Sequence, residues 1–203
     1  GLNPYLSTPD YQMELGALTN FPNQLELYHG MGSLSASNYT NYPPLNQLCF
    51  VIANLFPGHS ILNSIVGMRI LIIGADLGTL YFGKKLLEEL NIPSGRIFWY
   101  ILNPFIIIEL TGNLHFEGVM IFFLILSLYL LYNNQWKWAG IAMAASISVK
   151  LIPLIFLPLF FQWFTKRANN KYINDTYTNK LARLIGFYAI VLTNVILLFL
   201  PFY

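Results

Sequence analysis

Glu109-Leu110-Thr111-Gly112-Asn113-Leu114-His115-Phe116-Glu117 is the densest polar stretch of an otherwise apolar chain. Two carboxylates, an amide and an imidazole so close together suit the binding of sugar hydroxyls or the removal of a proton from one. On a continuous helix, i, i+4 spacing sets Glu109, Asn113 and Glu117 on one face. Gly112 and Gly118 point instead to a turn, which would let His115 converge as well. The competing reading is an ordinary connecting loop. Two cations, Arg69 and Lys150, stand in apolar sequence. A charge at the centre of a membrane helix costs about 2.5–3.5 kcal/mol, so such residues persist where they face water or a partner. Lys150, just ahead of Leu151-Ile152-Pro153, suits a phosphate or pyrophosphate at a membrane surface; the plainer reading is snorkelling to the interface. Arg69 and Asp76 share a helix face about 10.5 Å apart, too far for a direct pair. Each is expected to meet groups on neighbouring helices.

Other chemistries find no support. His115-Phe116-Glu117 has the H-x-E form of zinc deaminases, but Cys49 is the single cysteine and no Cys pair can complete that site. Neither a disulfide nor a cysteine-based metal centre can form within the chain. Gly30-Met31-Gly32-Ser33 lacks the following lysine and the strand–helix setting of a phosphate loop. No Asp-x-Asp occurs, which removes the usual metal–nucleotide signature of soluble sugar transferases. Asn38-Tyr39-Thr40 fits a glycosylation sequon, a weak match at this length. No cofactor is called for, and a divalent cation is not required.

The elements that must position these residues are membrane helices. Hydrophobic residues make up 56% of the chain and charged residues 10%, against about 25% charged in soluble domains. Mean hydropathy is +0.54. Eleven basic and nine acidic side chains cannot cover that much apolar surface in water, so the surrounding solvent is lipid. The net charge of +2 is not gathered on a soluble face and gives no sign of nucleic-acid binding.

Residues 1–42 read as a polar loop with aromatic anchors, and residues 1–60 as an extracytoplasmic unit ahead of a helix bundle over 61–203. Pro43 to Phe56 is an apolar helix begun by two prolines. Its fourteen residues rise about 21 Å against a hydrocarbon core of about 30 Å, so it is expected to lie at the interface. Ile61–Phe82 is long enough to cross. Ile97–Leu110, interrupted at Asn103-Pro104, then Gly118–Tyr132, Trp138–Val149, Leu151–Phe164 and Leu184–Phe202 follow as apolar stretches. Helix breaks are expected at Pro153 and Pro158. If the Pro43 helix does not cross, nine basic residues fall in inner loops: Lys84, Lys85, Arg96, Lys137, Lys166, Arg167, Lys171, Lys180 and Arg183. The positive-inside rule then sets the N-terminal segment and the 109–117 patch outside. The fold class expected is all-α, a polytopic transmembrane helix bundle.

The order of these elements resembles GT-C glycosyltransferases of the mannosyltransferase type. The likeness runs through Asn3-Pro4-Tyr5, Asn41-Tyr42-Pro43-Pro44-Leu45, the Arg69–Asp76 helix, Asn103-Pro104, Gly112 to Glu117 and Lys150-Leu151-Ile152-Pro153, and so covers most of the chain. The resemblance implies transfer of a hexose, mannose above all, from a polyprenyl- or dolichyl-phosphate donor to a glycan or lipid acceptor on the outer side, with inversion. Tyr42 and Pro43 would shape the acceptor side, and Lys150 would neutralise the phosphate leaving group. Glu117 and His115 would contact the sugar or acceptor as catalytic candidates, with Glu109, Asn113 and Arg69 binding substrate. The family's acidic residue lies early in the first outer loop, ahead of the stretch equivalent to Gly1. The chain is accordingly expected to be a piece of a longer protein, with a span before Gly1 and more after Tyr203, in a bacterial cytoplasmic membrane rather than the endoplasmic reticulum. A transporter or lipid flippase using the same cavity without chemistry is the alternative, although no internal repeat is visible. A non-catalytic scaffold subunit is the third.

Overall fold

The computed structural model describes residues 3–16, 23–55, 60–166 and 177–202; among them every regular element is a helix. The opening segment holds two helices where an ordered loop is expected. Helix α1 (Pro9–Glu14) begins where the Thr8 hydroxyl accepts from the Tyr11 N–H, with Pro9 at the first helical position and Asp10 in the first turn. These are three independent start signals. Helix α2 (Gln24–Ala36) follows and kinks at Gly32, whose φ of 75° suits glycine alone. The Tyr28 hydroxyl donates to Asp10 at 2.6 Å and ties the two together. The sequence hid both helices because neither has an apolar face: Ala36 is the buried residue of α2, and α1 buries none.

Helix α3 (Pro44–Asn54) starts on Pro43 and Pro44 as the sequence requires. Its eleven residues rise about 16 Å, too little to cross a bilayer. Phe56, the last residue of the expected helix, lies outside the described residues. Helix α4 (Ile61–Glu89), capped by Ser60, runs for 29 residues, about 43 Å. Leu62, Val66, Ile70, Ile73, Leu77 and Tyr81 form an exposed apolar stripe along it, at the spacing of one helix face. Gly67, Ile72, Ala75, Thr79 and Gly83 form the buried one.

A 3-10 turn (Ser94–Ile97) folds back on α4. Two short helices, α5 (Phe98–Ile101) and α6 (Pro104–Ile106), are separated at Asn103, whose side chain accepts from the Phe105 N–H at 3.0 Å and restarts the helix. Helix α6 widens into a π-helical turn (Ile107–Gly112). Helix α7 (Glu117–Tyr132) then leaves at 114° to Pro104–Gly112. Helix α8 (Trp136–Val149) returns antiparallel to it. A 3-10 segment (Ile152–Phe156) precedes α9 (Leu157–Lys166), and α10 (Tyr177–Phe199) runs into a closing turn (Leu200–Phe202). The break expected at Pro153 is present, but Pro158 is the second residue of α9 and breaks nothing. The first turn of a helix has no N–H to lose to proline.

Helix α8 is the hub. Nine of its fourteen residues are buried, most of them small. The Ser127 hydroxyl donates to the Ala139 carbonyl and the Ser146 hydroxyl to the Met120 carbonyl, each at 2.8 Å. Lipid cannot drive apolar helices together, so close packing of small residues and such hydrogen bonds hold the α7–α8 seam. A side chain at Gly78 would overlap the Phe122 ring, so glycine there lets α7 press against α4. One core, around Met143, Ile147, Phe160, Phe164 and Phe187, fastens α8 to α9 and α10. A second, around Cys49, Ile72, Leu110, Phe116, Met120 and Val149, joins α3, α4, the π turn and the start of α7.

Among the described residues α4 and Tyr177–Phe202 are long and apolar enough to cross a membrane, and Pro104–Gly112 with α7 qualifies if the bent pair is one span. The chain is an all-α membrane helix bundle. Packing sorts its ends. Phe82 stacks on Tyr129 at 5.5 Å, and Trp136 lies against Gly186. The segments carrying Lys84, Lys85, Arg96, Lys137 and Arg183 therefore share one end. At the other, Tyr5 meets Phe202 at 5.1 Å and α3 meets Val149. Arg167 and Lys171 lie outside the described residues.

Candidate functional site

The polar end is built where two helices stop short of a third. Helix α7 begins at Glu117, α8 ends at Val149, and Gly118 packs against Ile72, eleven residues into α4. The α7–α8 end thus lies about 16 Å below the start of α4. Helix α3 fills the step: Phe50 stacks on Phe116 at 5.1 Å and on Tyr42 at 6.0 Å, and the Ser64 hydroxyl donates to Asn54. Tyr42 is half-exposed, and its carbonyl accepts from the Tyr5 hydroxyl at 2.6 Å. A ring ladder therefore leads from Tyr42 to the residue before Glu117. Cys49 is buried on the underside of α3, and burial pushes its thiol up to about 11.

The 109–117 patch is neither one helix face nor a glycine turn. The carbonyl of Ile108 takes the N–H of Asn113, and that of Leu110 takes the N–H of His115, both at 2.9 Å. These i to i+5 bonds are the π widening that recurs at functional sites. The residue that reverses the chain is Leu114, at φ 60°, and not Gly112 or Gly118. A left-handed leucine is strained and must be held by its surroundings. The outcome divides the patch. Glu109 Oε2 accepts from Asn113 Nδ2 at 3.3 Å and lies 3.7 Å from His115 Nδ1. Glu117, thrown onto α7, instead pairs with Lys150.

Lys150 leaves α8 in extended conformation, φ −155° and ψ 142°, which carries its side chain across to the start of α7. The pair is partly open, with side-chain exposures of 37% for Lys150 and 28% for Glu117. His115 stands two residues ahead of Glu117 in the chain, so the two halves of the patch adjoin. Beneath them lies Asp76. One of its oxygens sits 3.5 Å from where a Gly118 side chain would begin and has no hydrogen-bond partner among the described residues. Thr111, in the π turn, is the partner that reaches the carboxylate. Arg69 is exposed and forms no hydrogen bond or ion pair with a described residue, so the structure does not bring it to the others.

Asn46 is the residue that sequence reading passed over. It is 4% exposed, and its Nδ2 donates to the Val149 carbonyl at 3.3 Å, next to Lys150. An asparagine one turn into an apolar helix begun by Pro-Pro was the available signal. Among the described residues no three His, Cys, Asp or Glu side chains come together as a metal site would need.

The fold and site thus define a membrane helix bundle with carboxylates, an imidazole and a lysine gathered at one end. A family model described as alpha-(1->6)-mannopyranosyltransferase, N-terminal domain, matches residues 1–166. The chain belongs to this family, the MptA_B family, and is a membrane mannosyltransferase in general class. Comparison with curated proteins and with solved structures finds no match.

Proposed function

We propose that this chain supplies the donor seat and part of the acceptor side of a GT-C mannosyltransferase that draws mannose from a polyprenyl-phosphate carrier on the non-cytoplasmic side. The observation that carries this reading is the Glu117–Lys150 pair at a joint where two helices end inside the bundle. A cation held there, partly open and next to apolar surface, fits a lipid phosphate better than a free nucleotide. The N-terminal segment and the basic-poor end lie on the same side as this pair, as the positive-inside pattern asks.

In the reaction, the bond from the sugar C1 to the phosphate oxygen breaks and a bond from C1 to the acceptor oxygen forms. The electron pair leaves on the phosphate, where the Lys150 ammonium meets the developing charge. The acceptor hydroxyl loses its proton to a base. His115, backed by Glu109, is arranged for that role more openly than Glu117, whose carboxylate is engaged with Lys150 and sets its position. Asn113 and Tyr42 border the sugar and acceptor. The family description directs the linkage to alpha-(1->6). The chemistry takes its positive charge from the protein and asks for no cofactor.

The test is transfer by the full-length protein in membranes from polyprenyl-phosphate mannose to a mannoside acceptor, with a nucleotide-sugar control. Transfer from the lipid donor alone is expected. Transfer from the nucleotide sugar, or movement of the lipid carrier across the bilayer without a glycosidic product, would overturn the reading.

A further inference from the structure

Asn46 presents a problem that packing alone does not solve. It is 96% removed from solvent, in the first turn of a helix whose other buried residues are Pro44, Cys49 and Ala53. One half of its amide is used, Nδ2 donating to the Val149 carbonyl across 103 residues of sequence. The other half, Oδ1, is equally buried and has no partner among the described residues. Burying a polar atom unpaired is costly. A leucine has the same branched shape and would leave no polar atom unpaired.

The Val149 carbonyl explains why the donor is needed. Helix α8 stops there because Lys150 turns to extended backbone, and four residues on, where a continuing helix would supply the N–H, stands Pro153. Proline has no N–H to give. The carbonyl that precedes Lys150 is therefore orphaned by its own chain and is satisfied from α3. The hydrogen bond fixes the peptide from which Lys150 departs, and so the direction in which its ammonium is presented. It also couples α3, which starts beside Tyr42, to the hinge that carries the cation.

We infer that Asn46 is a positioning residue: its amide caps the broken end of α8 and thereby aims Lys150 at the place where a phosphate group is received. This rests on the role proposed above for Lys150, and the experiment separates the two. Asn46→Leu keeps the branched shape and removes the donor; Asn46→Gln keeps an amide donor on a longer, flexible arm. Each is assayed in full-length protein for transfer from polyprenyl-phosphate mannose. Each is also made with Cys49→Ala and Lys150→Cys and carries a nitroxide at position 150. Asn46→Leu should lower kcat roughly tenfold or more, as small misplacements of catalytic groups do, with KM for the acceptor unchanged and the nitroxide spectrum mobilised. Asn46→Gln should recover most of both. Wild-type kcat and an unmoved spectrum in Asn46→Leu would overturn the inference, as would Asn46→Gln impaired as fully as Asn46→Leu. If the parent protein transfers nothing from the lipid donor but the spectrum still mobilises in Asn46→Leu, the positioning role stands and the functional reading falls.

Discussion

The two cores of this bundle handle polar groups in opposite ways. Around Phe187 the polar groups are paired: Phe160 and Phe164 pack on its ring at 5.1 and 5.6 Å, the Tyr188 hydroxyl donates to the Leu157 carbonyl, and the Ser127 hydroxyl to that of Ala139. Around Phe116 and Val149, by contrast, buried oxygens of Asn46 and Asp76 find no partner among the described residues. Both regions are of similar helical make, so the difference is not one of fold. A membrane interior gives no reward for burying an unpaired oxygen. The first region is built to hold helices together, and the second lies beside the polar end that carries Glu117 and Lys150. The strained Leu114 and the π turn stand in the second region as well.

That contrast can be broken by substitution. The largest effect is expected from Lys150→Ala, a loss of about 10³-fold in turnover by the scale of removing a transition-state charge partner. Membrane insertion and thermal unfolding should be unchanged; wild-type turnover would remove the phosphate role. Phe187→Ala should do the reverse. Truncating a buried aromatic costs about 3 kcal/mol or more, so detergent-solubilised protein should unfold at lower temperature, while the fraction that stays folded keeps its KM values. A stability loss as large from Lys150→Ala would erase the distinction between the regions. Ser127→Ala should cost only about 0.6 kcal/mol, the mean for hydrogen bonds between membrane helices, measured by the same unfolding assay. The smallest effect concerns Cys49. With its thiol pushed up to about 11, only about one part in a thousand is thiolate at pH 8, and burial hides even that. Maleimide should leave it unlabelled in native membranes, which makes the chain a clean background for introduced cysteines. Ready labelling of Cys49 would show α3 to be displaced from its seat.

Much of the architecture was legible before any coordinates. The low charge and long apolar runs require lipid; the proline pair and shortness of α3 forbid it to cross; Asn103-Pro104 and Pro153 interrupt their helices. These follow because each is a local property of backbone or composition. Lys150 and the 109–117 patch stood out for the same reason: polar side chains in apolar sequence are costly wherever they lie. The two polar helices α1 and α2 leave no such mark, because periodicity records only faces that are buried.

What sequence could not decide was who meets whom. Glu109, Asn113 and Glu117 have the spacing of one face, yet Leu114 reverses the chain and sends Glu117 to Lys150, 33 positions away. Arg69 shares the costs of Lys150 and joins nothing described. Asn46 looked like any helix residue until Val149, orphaned by Pro153, was found beside it. Composition and periodicity act over a few residues, and they determined the solvent, the elements and the suspects. Pairing depends on the angle between α6 and α7, on the length difference between α4 and α8, and on a π turn, all settled by packing between distant segments.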